Sequence, residues 1–476
     1  MTALAKSEAA AATVSRQSIE KLARVFAGQI ILPGTPQYAS ARKVWNRAVD
    51  KRPALVARCA DRDDVIRAVE FARRTGLLTA VRSGGHSFAG HGVCDGGMVI
   101  DLSRMKTAHL HPRRAAITIG PGIVGGELDY MAQAFKMAVP LGSCPSTGVA
   151  GYALGGGESS LTPRFGFACD SITAVEMVTA DARVVTAREG ENEDLFWAVR
   201  GAGANFGVAT ALEFRLHPIE KVYSGHLRYP IRQARKVLRF LDEYAQTIPD
   251  QLYLLAAVLP HPGERMLDVA VLWPGDEQRG ARILRPLRSF LKPFADTLSM
   301  KEYLDEQRGG SDTPGDGDYA SRRRGGHCER LTSDAIEVIV DHASNAPTEA
   351  SGITLVHWHG PWTSGKHDNA FGFRRAGFEY WIHAYWKRRS QARKAVTWVE
   401  RFFGAMQAHS TGAVYVNDLE EDGDSRARAA YGDRYERLSR IKRKFDPDNF
   451  FRVNQNIKPA SADLNHDWRT GANHAP

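Results

Sequence analysis

The chain has 476 residues, 43% hydrophobic and 25% charged, which excludes a disordered or fibrous protein and implies more than one folding unit. Its 63 Lys and Arg against 54 Asp and Glu leave a formal charge of +9, but the basic residues are scattered. The densest run, Arg322-Arg323-Arg324, has no interleaved aromatics. It reads as a solvated surface, and no nucleic-acid partner is expected. The five cysteines are odd in number and lack paired spacing, so a disulfide framework is not expected. No segment is apolar enough for long enough to span a bilayer, and the Ala-rich N-terminus has no sustained apolar stretch. No membrane partner and a cytoplasmic location are the expectation.

In chain order, residues 18–26 read as a helix, and Leu32-Pro33-Gly34 as a turn. Residues 54–57 form a short apolar strand and 61–75 an amphipathic helix with Asp at its start. The strand 78–82 runs into the glycine-rich turn 83–87, and 98–102 is a further strand. A second block has a strand at 116–119, a helix at 127–136 and a long small-residue loop at 142–157. Strands at 174–179 and 184–186 follow, then the glycine-rich run 200–207 and a closing strand at 209–216. After Pro218, strands at 252–258, 267–272, 353–357 and 378–386 are interleaved with helices such as 232–245. That pattern predicts an α+β chain whose second part is a mostly antiparallel sheet covered by helices on one face. Residues 307–324 read as a mobile excursion and the tail after Ala460 as frayed.

Three segments carry chemistry. In Ser83-Gly84-Gly85-His86-Ser87, two glycines let the backbone approach a ligand, and successive N–H groups can form an anion nest. The competing reading is a metal cluster of His86, His91, Cys94 and Asp95, but the intervening glycines would make it floppy, and no metal is expected. The run 142–151 with Gly155-Gly156-Gly157 makes a poor core and a good cradle for a planar or phosphorylated ligand. Taken alone, its Cys144 reads more readily as an inert small hydrophobe. Gly120-Pro121-Gly122-Ile123-Val124-Gly125 satisfies a dinucleotide fingerprint, yet the chain reaches Ala138-Val139-Pro140-Leu141 with no acid there, and Pro121 removes an N–H. It reads as a decoy.

The ordered motifs SGGHS, GGMVIDLS, GPG, GSCPSTGVAGYALGGG, AGANFG, Tyr415-Val416-Asn417, FDPDNFF and QNIKP resemble the berberine-bridge-enzyme-like flavoproteins of the vanillyl-alcohol-oxidase / para-cresol-methylhydroxylase superfamily. The resemblance runs from about residue 50 to 459. It implies an FAD-binding domain in two parts over 1–218, a substrate-binding domain over 219–412, and a segment 413–476 that returns to the FAD domain. It further implies covalent FAD, attached through His86 and, as in doubly linked members, through Cys144. Arg82, Ser83, Gly84, Gly85 and Ser87 match the pyrophosphate loop. Ser143, Thr147, Gly148, Gly151, Gly155 and Gly156 belong to the flavin cradle, and Gly203, Asn205, Gly207 and Val208 to a second clasp. Tyr415 and Asn417 match the start of the segment beside the isoalloxazine.

Two departures from the family pattern matter. Glu158 stands where a Tyr usually follows the three glycines, and Asp418 replaces the second Tyr of the later segment. Glu158 is therefore the candidate base, with helix capping or a structural ion pair as the alternative. Tyr415 is a second candidate catalytic group. On strand 378–386, Glu379, Trp381, His383 and Tyr385 share one face, which either lines a substrate pocket or packs on helices. His383 and Tyr385 join the catalytic candidates on the first reading. Thr147, three residues after the cysteine, has the modest volume that the family's oxidases show there, so O2 is the expected acceptor. The expected activity is oxidation of a small organic substrate (an alcohol, sugar or secondary metabolite) with peroxide as product. An amine oxidase or a dehydrogenase of the same fold is the alternative. A non-catalytic flavin-fold binder is disfavoured by the presence of both His86 and Cys144.

Overall fold

Asp61 starts the first long helix by accepting the N–H of Asp64 at 2.9 Å, and Gly76, at φ 68°, ends it. This helix, Arg62–Thr75, buries Val65, Ala68, Val69, Phe71 and Ala72, the face set by apolar residues three and four apart. It is the crossover between two strands, Leu55–Arg58 and Thr79–Arg82, that both run parallel to Met98–Asp101. With Gln29–Ile31 added antiparallel, they form a four-stranded sheet. The computed structural model describes residues 14–309, 319–363, 367–420 and 423–461.

A second, antiparallel sheet follows, in the order Ala108–His111, Ala116–Ile119, Val208–Arg215, Ile172–Val178, Val184–Arg188. It shares one apolar core with the helices Gly125–Gln133 and Glu193–Ala202 and with the C-terminal helix Tyr435–Phe445. The third sheet has eight antiparallel strands, with Lys221–Pro230, Glu264–Trp273, Tyr253–His261, Gly352–Trp358, Gly377–Trp386 and Ala320–Cys328 adjacent in that order. Helices Ala234–Tyr244, Glu277–Phe290, Ser333–Ser344 and Ala392–Met406 supply the apolar residues packed against one face. The fold is α+β, as the sequence predicts. No described helix is long and apolar enough to cross a membrane.

Four local expectations are corrected. The small-residue loop 142–157 contains a helical turn, Val149–Leu154, because Val149, Ala150, Ala153 and Leu154 find a core to fill. The helix placed at 127–136 ends at Gln133, and Lys136 takes a positive φ of 55°. The apolar run Leu195 to Val199, assigned no element, is the buried part of helix Glu193–Ala202. The largest correction concerns the excursion and its Arg run. Gln307 lies in the helix Tyr303–Gly309, residues 310–318 lie outside the described residues, and Arg322, Arg323 and Arg324 belong to strand Ala320–Cys328. They are not a solvated surface. Arg322 pairs with Glu400 at 2.6 Å and with Glu420, Arg324 with Glu400 at 3.4 Å, and Arg323 with Asp418 at 2.6 Å. The acids that pair with them come from segments 76–98 residues away, beyond the reach of local pattern. The frayed tail expected after Ala460 falls mostly outside the described residues.

The C-terminal return is clamped by Lys442, which is fully buried. Its ammonium donates to Asp446 Oδ2 (2.7 Å), to the carbonyl of Asn205 (2.6 Å) and to that of Phe451 (2.8 Å). Burial lowers its pKa, and the Asp446 carboxylate opposes that shift. Removing one member of such a set strands the other in the interior. Lys442→Met should therefore cost about 3–5 kcal/mol, read as a fall in melting temperature, and should increase proteolysis of the C-terminal segment.

Candidate active site

The turn after strand Thr79–Arg82 and the loop before helix Val149–Leu154 meet backbone to backbone. A Cβ on Gly84 would lie 2.3 Å from the nitrogen of Gly148, and one on Gly148 would lie 2.3 Å from the nitrogen of Gly84. Only two glycines permit that approach. Ser83 Oγ donates to the carbonyl of Pro121 at 2.6 Å, so the decoy motif serves as a third wall. Its own glycines are required by packing: a Cβ on Gly120 or Gly122 would strike the carbonyl of Met105 or Leu102 at 2.3 and 2.5 Å.

This contact brings His86 and Cys144 together although 58 residues separate them. Cys144 Sγ lies 4.0 Å from His86 Nδ1, and Ser146 Oγ lies 2.9 Å from His86 Nε2. Trp45 stacks on the His86 ring with centroids 5.7 Å apart, and Tyr385 meets Trp45 edge-on at 6.0 Å. From this point a cavity of about 830 Å³ runs between the loops to Phe451, Asn454 and Gln455. The competing metal cluster does not converge. Cys94 is buried with its Sγ toward the carbonyls of Leu78 and Met98, and Asp95 accepts the N–H of Arg52.

Of the expected flavin-contacting residues, Arg82, Ser83, Gly84, Gly85, Ser87, Ser143, Thr147, Gly148, Gly151, Gly155, Gly203, Asn205, Gly207, Tyr415 and Asn417 line the cavity with His86 and Cys144. Two do not. Val208 is buried in the core, and a Cβ on Gly156 would meet the Phe371 ring at 2.5 Å, so that glycine answers to packing. The Arg82 guanidinium turns away to Asp101 at 2.8 Å. The Asn205 side chain is occupied by the C-terminal segment, accepting the N–H of Ile457 at 2.9 Å.

A cluster of ionisable groups forms one wall. Tyr415 Oη accepts the N–H of Gly157 at 2.8 Å and Asn417 Nδ2–H at 2.7 Å. Burial nevertheless pushes the phenol well above its usual range, so it keeps its proton at neutral pH. Glu158 is pushed from 4.5 up to about 7, first by burial and then by the negative charge of Asp418. A hydrogen bond with Glu379 and the charge of Arg323 pull the other way. Arg323 lies between the rings of Phe88 (4.7 Å) and Trp381 (4.5 Å). Sequence reasoning missed this Arg by reading its run as surface.

The four catalytic candidates separate. Glu158, Tyr415 and Tyr385 reach the cavity, whereas His383 does not line it and sits against Tyr385, ring centroids 5.1 Å apart. Burial and the charges of Arg323 and Arg265 lower the His383 pKa to about 3, so it is neutral at ordinary pH.

The chain is similar to known proteins over most of its length. Residues 53–188 match the family model of the FAD binding domain, and 414–458 match that described as berberine and berberine like. The chain thus carries both the FAD-binding and the berberine-like domains, and its relatives are FAD-linked oxidoreductases. It is 29% identical over 448 residues to an FAD-linked oxidoreductase of Dictyostelium discoideum, covering 93% of this chain and 97% of that one. It is also 29% identical over 445 residues to (R)-6-hydroxynicotine oxidase of Paenarthrobacter nicotinovorans, covering 91% and 97%. The solved 6-hydroxy-D-nicotine oxidase of Arthrobacter nicotinovorans superposes with a TM-score of 0.85 at 27% identity, covering 91% of this chain and 98% of that one. For this FAD-linked oxidoreductase, the meeting of Gly84 and Gly148 shapes the cavity. Gly148→Ala would force the two loops apart. Purified protein should then carry much less flavin, with turnover reduced on the order of 10²-fold. Full flavin absorbance with normal turnover would show that the loops tolerate a methyl group.

Proposed function

We propose that the enzyme binds FAD covalently through both His86 and Cys144 and acts as an oxidase on a small alcohol, sugar or secondary metabolite, with O2 as final acceptor and H2O2 as product. The observation that carries this reading is the 4.0 Å approach of His86 Nδ1 to Cys144 Sγ at one end of the cavity. FAD fits the residues present. A volume of about 830 Å³ lies in the range of roughly 300–1,000 Å³ usual for such sites. The cavity's glycine-rich loops leave backbone accessible for a pyrophosphate, and a Cβ on Gly151 would meet nothing within 4 Å. On this reading 1–218 and 413–476 hold the cofactor and 219–412 roof the substrate.

Bound FAD supplies the hydride acceptor. The chain's own groups supply the rest. Glu158 takes the substrate O–H proton as the carbinol carbon gives up hydride, and its raised pKa keeps the resulting acid from being too strong near neutral pH. Tyr415, fixed by two donors, orients the same oxygen through its remaining proton. Tyr385 and Trp381 close the wall opposite the cradle. Thr147 lines the cavity beside Cys144, and its small volume leaves O2 a path.

One observation favours an amine as a second reading. Glu158 Oε2 and Asp418 Oδ2, on two residues that line the cavity, are buried and accept no N–H or O–H from donor side chains or backbone. An ammonium group satisfies such oxygens, and a relative of 29% identity is named (R)-6-hydroxynicotine oxidase.

Denatured wild type should retain its flavin on the polypeptide. His86→Ala and Cys144→Ala should each retain it through the other residue, and the double variant should release it all. Release from wild type refutes covalent attachment. Glu158→Gln should keep the flavin attached but slow anaerobic substrate oxidation by ~10²-fold or more. The sign of the pH dependence follows from the raised pKa. The carboxylate is the active form, so the wild-type rate should rise with pH through about 7 and lose its acidic limb only in the Gln variant. In air, peroxide should form one-for-one with substrate consumed. Fast turnover with dyes and slow reaction with O2 would mark a dehydrogenase instead.

A further inference from the structure

Glu379 lies on strand Gly377–Trp386, does not itself line the cavity that Glu158 lines, and is 1% exposed. Its Oε2 accepts the indole N–H of Trp358 at 2.8 Å. Its Oε1 is buried and receives no N–H or O–H donor. The Glu158 carboxyl stands within hydrogen-bonding reach, and Glu158 Oε2 is likewise without a donor. Two carboxylates cannot hydrogen-bond one another, because neither carries a proton to donate. The donor pattern around Glu379 resolves this. One oxygen receives an N–H, as a carbonyl does, and the other receives nothing while facing an acceptor, as a hydroxyl does.

We infer that Glu379 is a neutral carboxylic acid in the working enzyme, its Oε1–H donating to the Glu158 carboxylate and so positioning the base. This inference rests on the reading of Glu158 as base. The surrounding charges agree with the assignment. Glu158 and Glu379 are faced by Asp418 and Tyr415 from the C-terminal segment, Arg323 from strand Ala320–Cys328, Tyr253 from strand Tyr253–His261 and Tyr152 from helix Val149–Leu154. The phenols are neutral. Arg323 is the one cation of this set and is committed to Asp418 at 2.6 Å. No second positive charge in the set offsets a pair of glutamates, so one of them keeps its proton. The donor pattern names Glu379 as the proton's holder, since its Oε2 accepts the Trp358 N–H while its Oε1 receives none, and burial with the adjacent Glu158 and Asp418 pushes its proton affinity the same way.

In the proton step, the substrate's O–H or N–H bond breaks with its electron pair left on the substrate, and the proton joins a Glu158 oxygen. Glu379 keeps its own proton throughout and turns a repulsive neighbour into a donor. Its role is positional.

Two substitutions and one spectrum test this on the flavin-loaded enzyme. Glu379→Gln preserves a neutral side chain with an N–H donor for Glu158 and a carbonyl for Trp358, whereas Glu379→Met removes both. The acidic limb of the rate profile should stay in place in the Gln variant and move up by about one pH unit in the Met variant. A purely structural Glu379 would lower protein yield or rate without moving the limb. If the limb moves down by about a unit in the Gln variant, a negative charge has been removed and the inference is wrong. An unmoved limb in the Met variant overturns it equally. The readout independent of turnover is the infrared difference between wild type and Glu379→Gln at about pH 8, where an ordinary carboxyl is ionised. A protonated-carboxyl stretch present only in wild type is the expected result, and its absence refutes the neutral acid. Failure of Glu158 as base would appear separately, as an unchanged rate in Glu158→Gln, while the infrared band would still report on Glu379 alone.

Discussion

The candidate active site depends on two backbones touching. Gly84 and Gly148 approach so closely that a methyl group on either would lie 2.3 Å from the other's nitrogen. That contact places the loop bearing His86 against the loop bearing Cys144, and opens the cavity on their far side. The parallel strands that end in the first loop and the helical turn that follows the second act as rigid mounts. Pro121, hydrogen-bonded to Ser83, braces the joint from a third segment. Glycine here gives closeness rather than flexibility.

The second organising feature is charge held in the interior. Arg323 would be costly to bury alone, and it is stabilised by Asp418 on one side and by the faces of Phe88 and Trp381 on the others. Its strand belongs to the eight-stranded sheet, whereas Asp418 belongs to the returning C-terminal segment. The pair therefore ties the roof of the cavity to its base. Glu158 and Glu379 meet across the same seam, so the electrostatics of the proposed base are set by groups from both sides. Lys442 plays a comparable part at the other end, where it joins the loop carrying Asn205 to the C-terminal return.

Periodicity and turn chemistry made the strands and long helices legible. The alternation over residues 378–386 separated Phe378, Tyr380, Ile382 and Trp386, which pack on helices, from Trp381 and Tyr385, which face the cavity. The same alternation put His383 on the face of Trp381 and Tyr385, yet it does not line the cavity and sits against Tyr385. The Arg run misled for a different reason. Three adjacent charges read as solvated unless their partners are known, and those partners lie 76–98 residues away. Glycines showed where the chain comes close to something, but not to what. Gly156 and Val208 answer to packing, and Gly84 and Gly148 to each other.

The sequence by itself determined the element types, the α+β class and, through the order of its motifs, the flavoprotein family. These follow from local spacing and from residue types that few other chemistries need. Only the tertiary structure decided which carboxyls meet, what Arg323 is for and which candidate residues share the cavity. Burial and proximity set the protonation of Glu158, and both are properties of segments far apart in the chain. A carboxyl's identity is written in one residue, whereas its proton affinity is written in all of its neighbours.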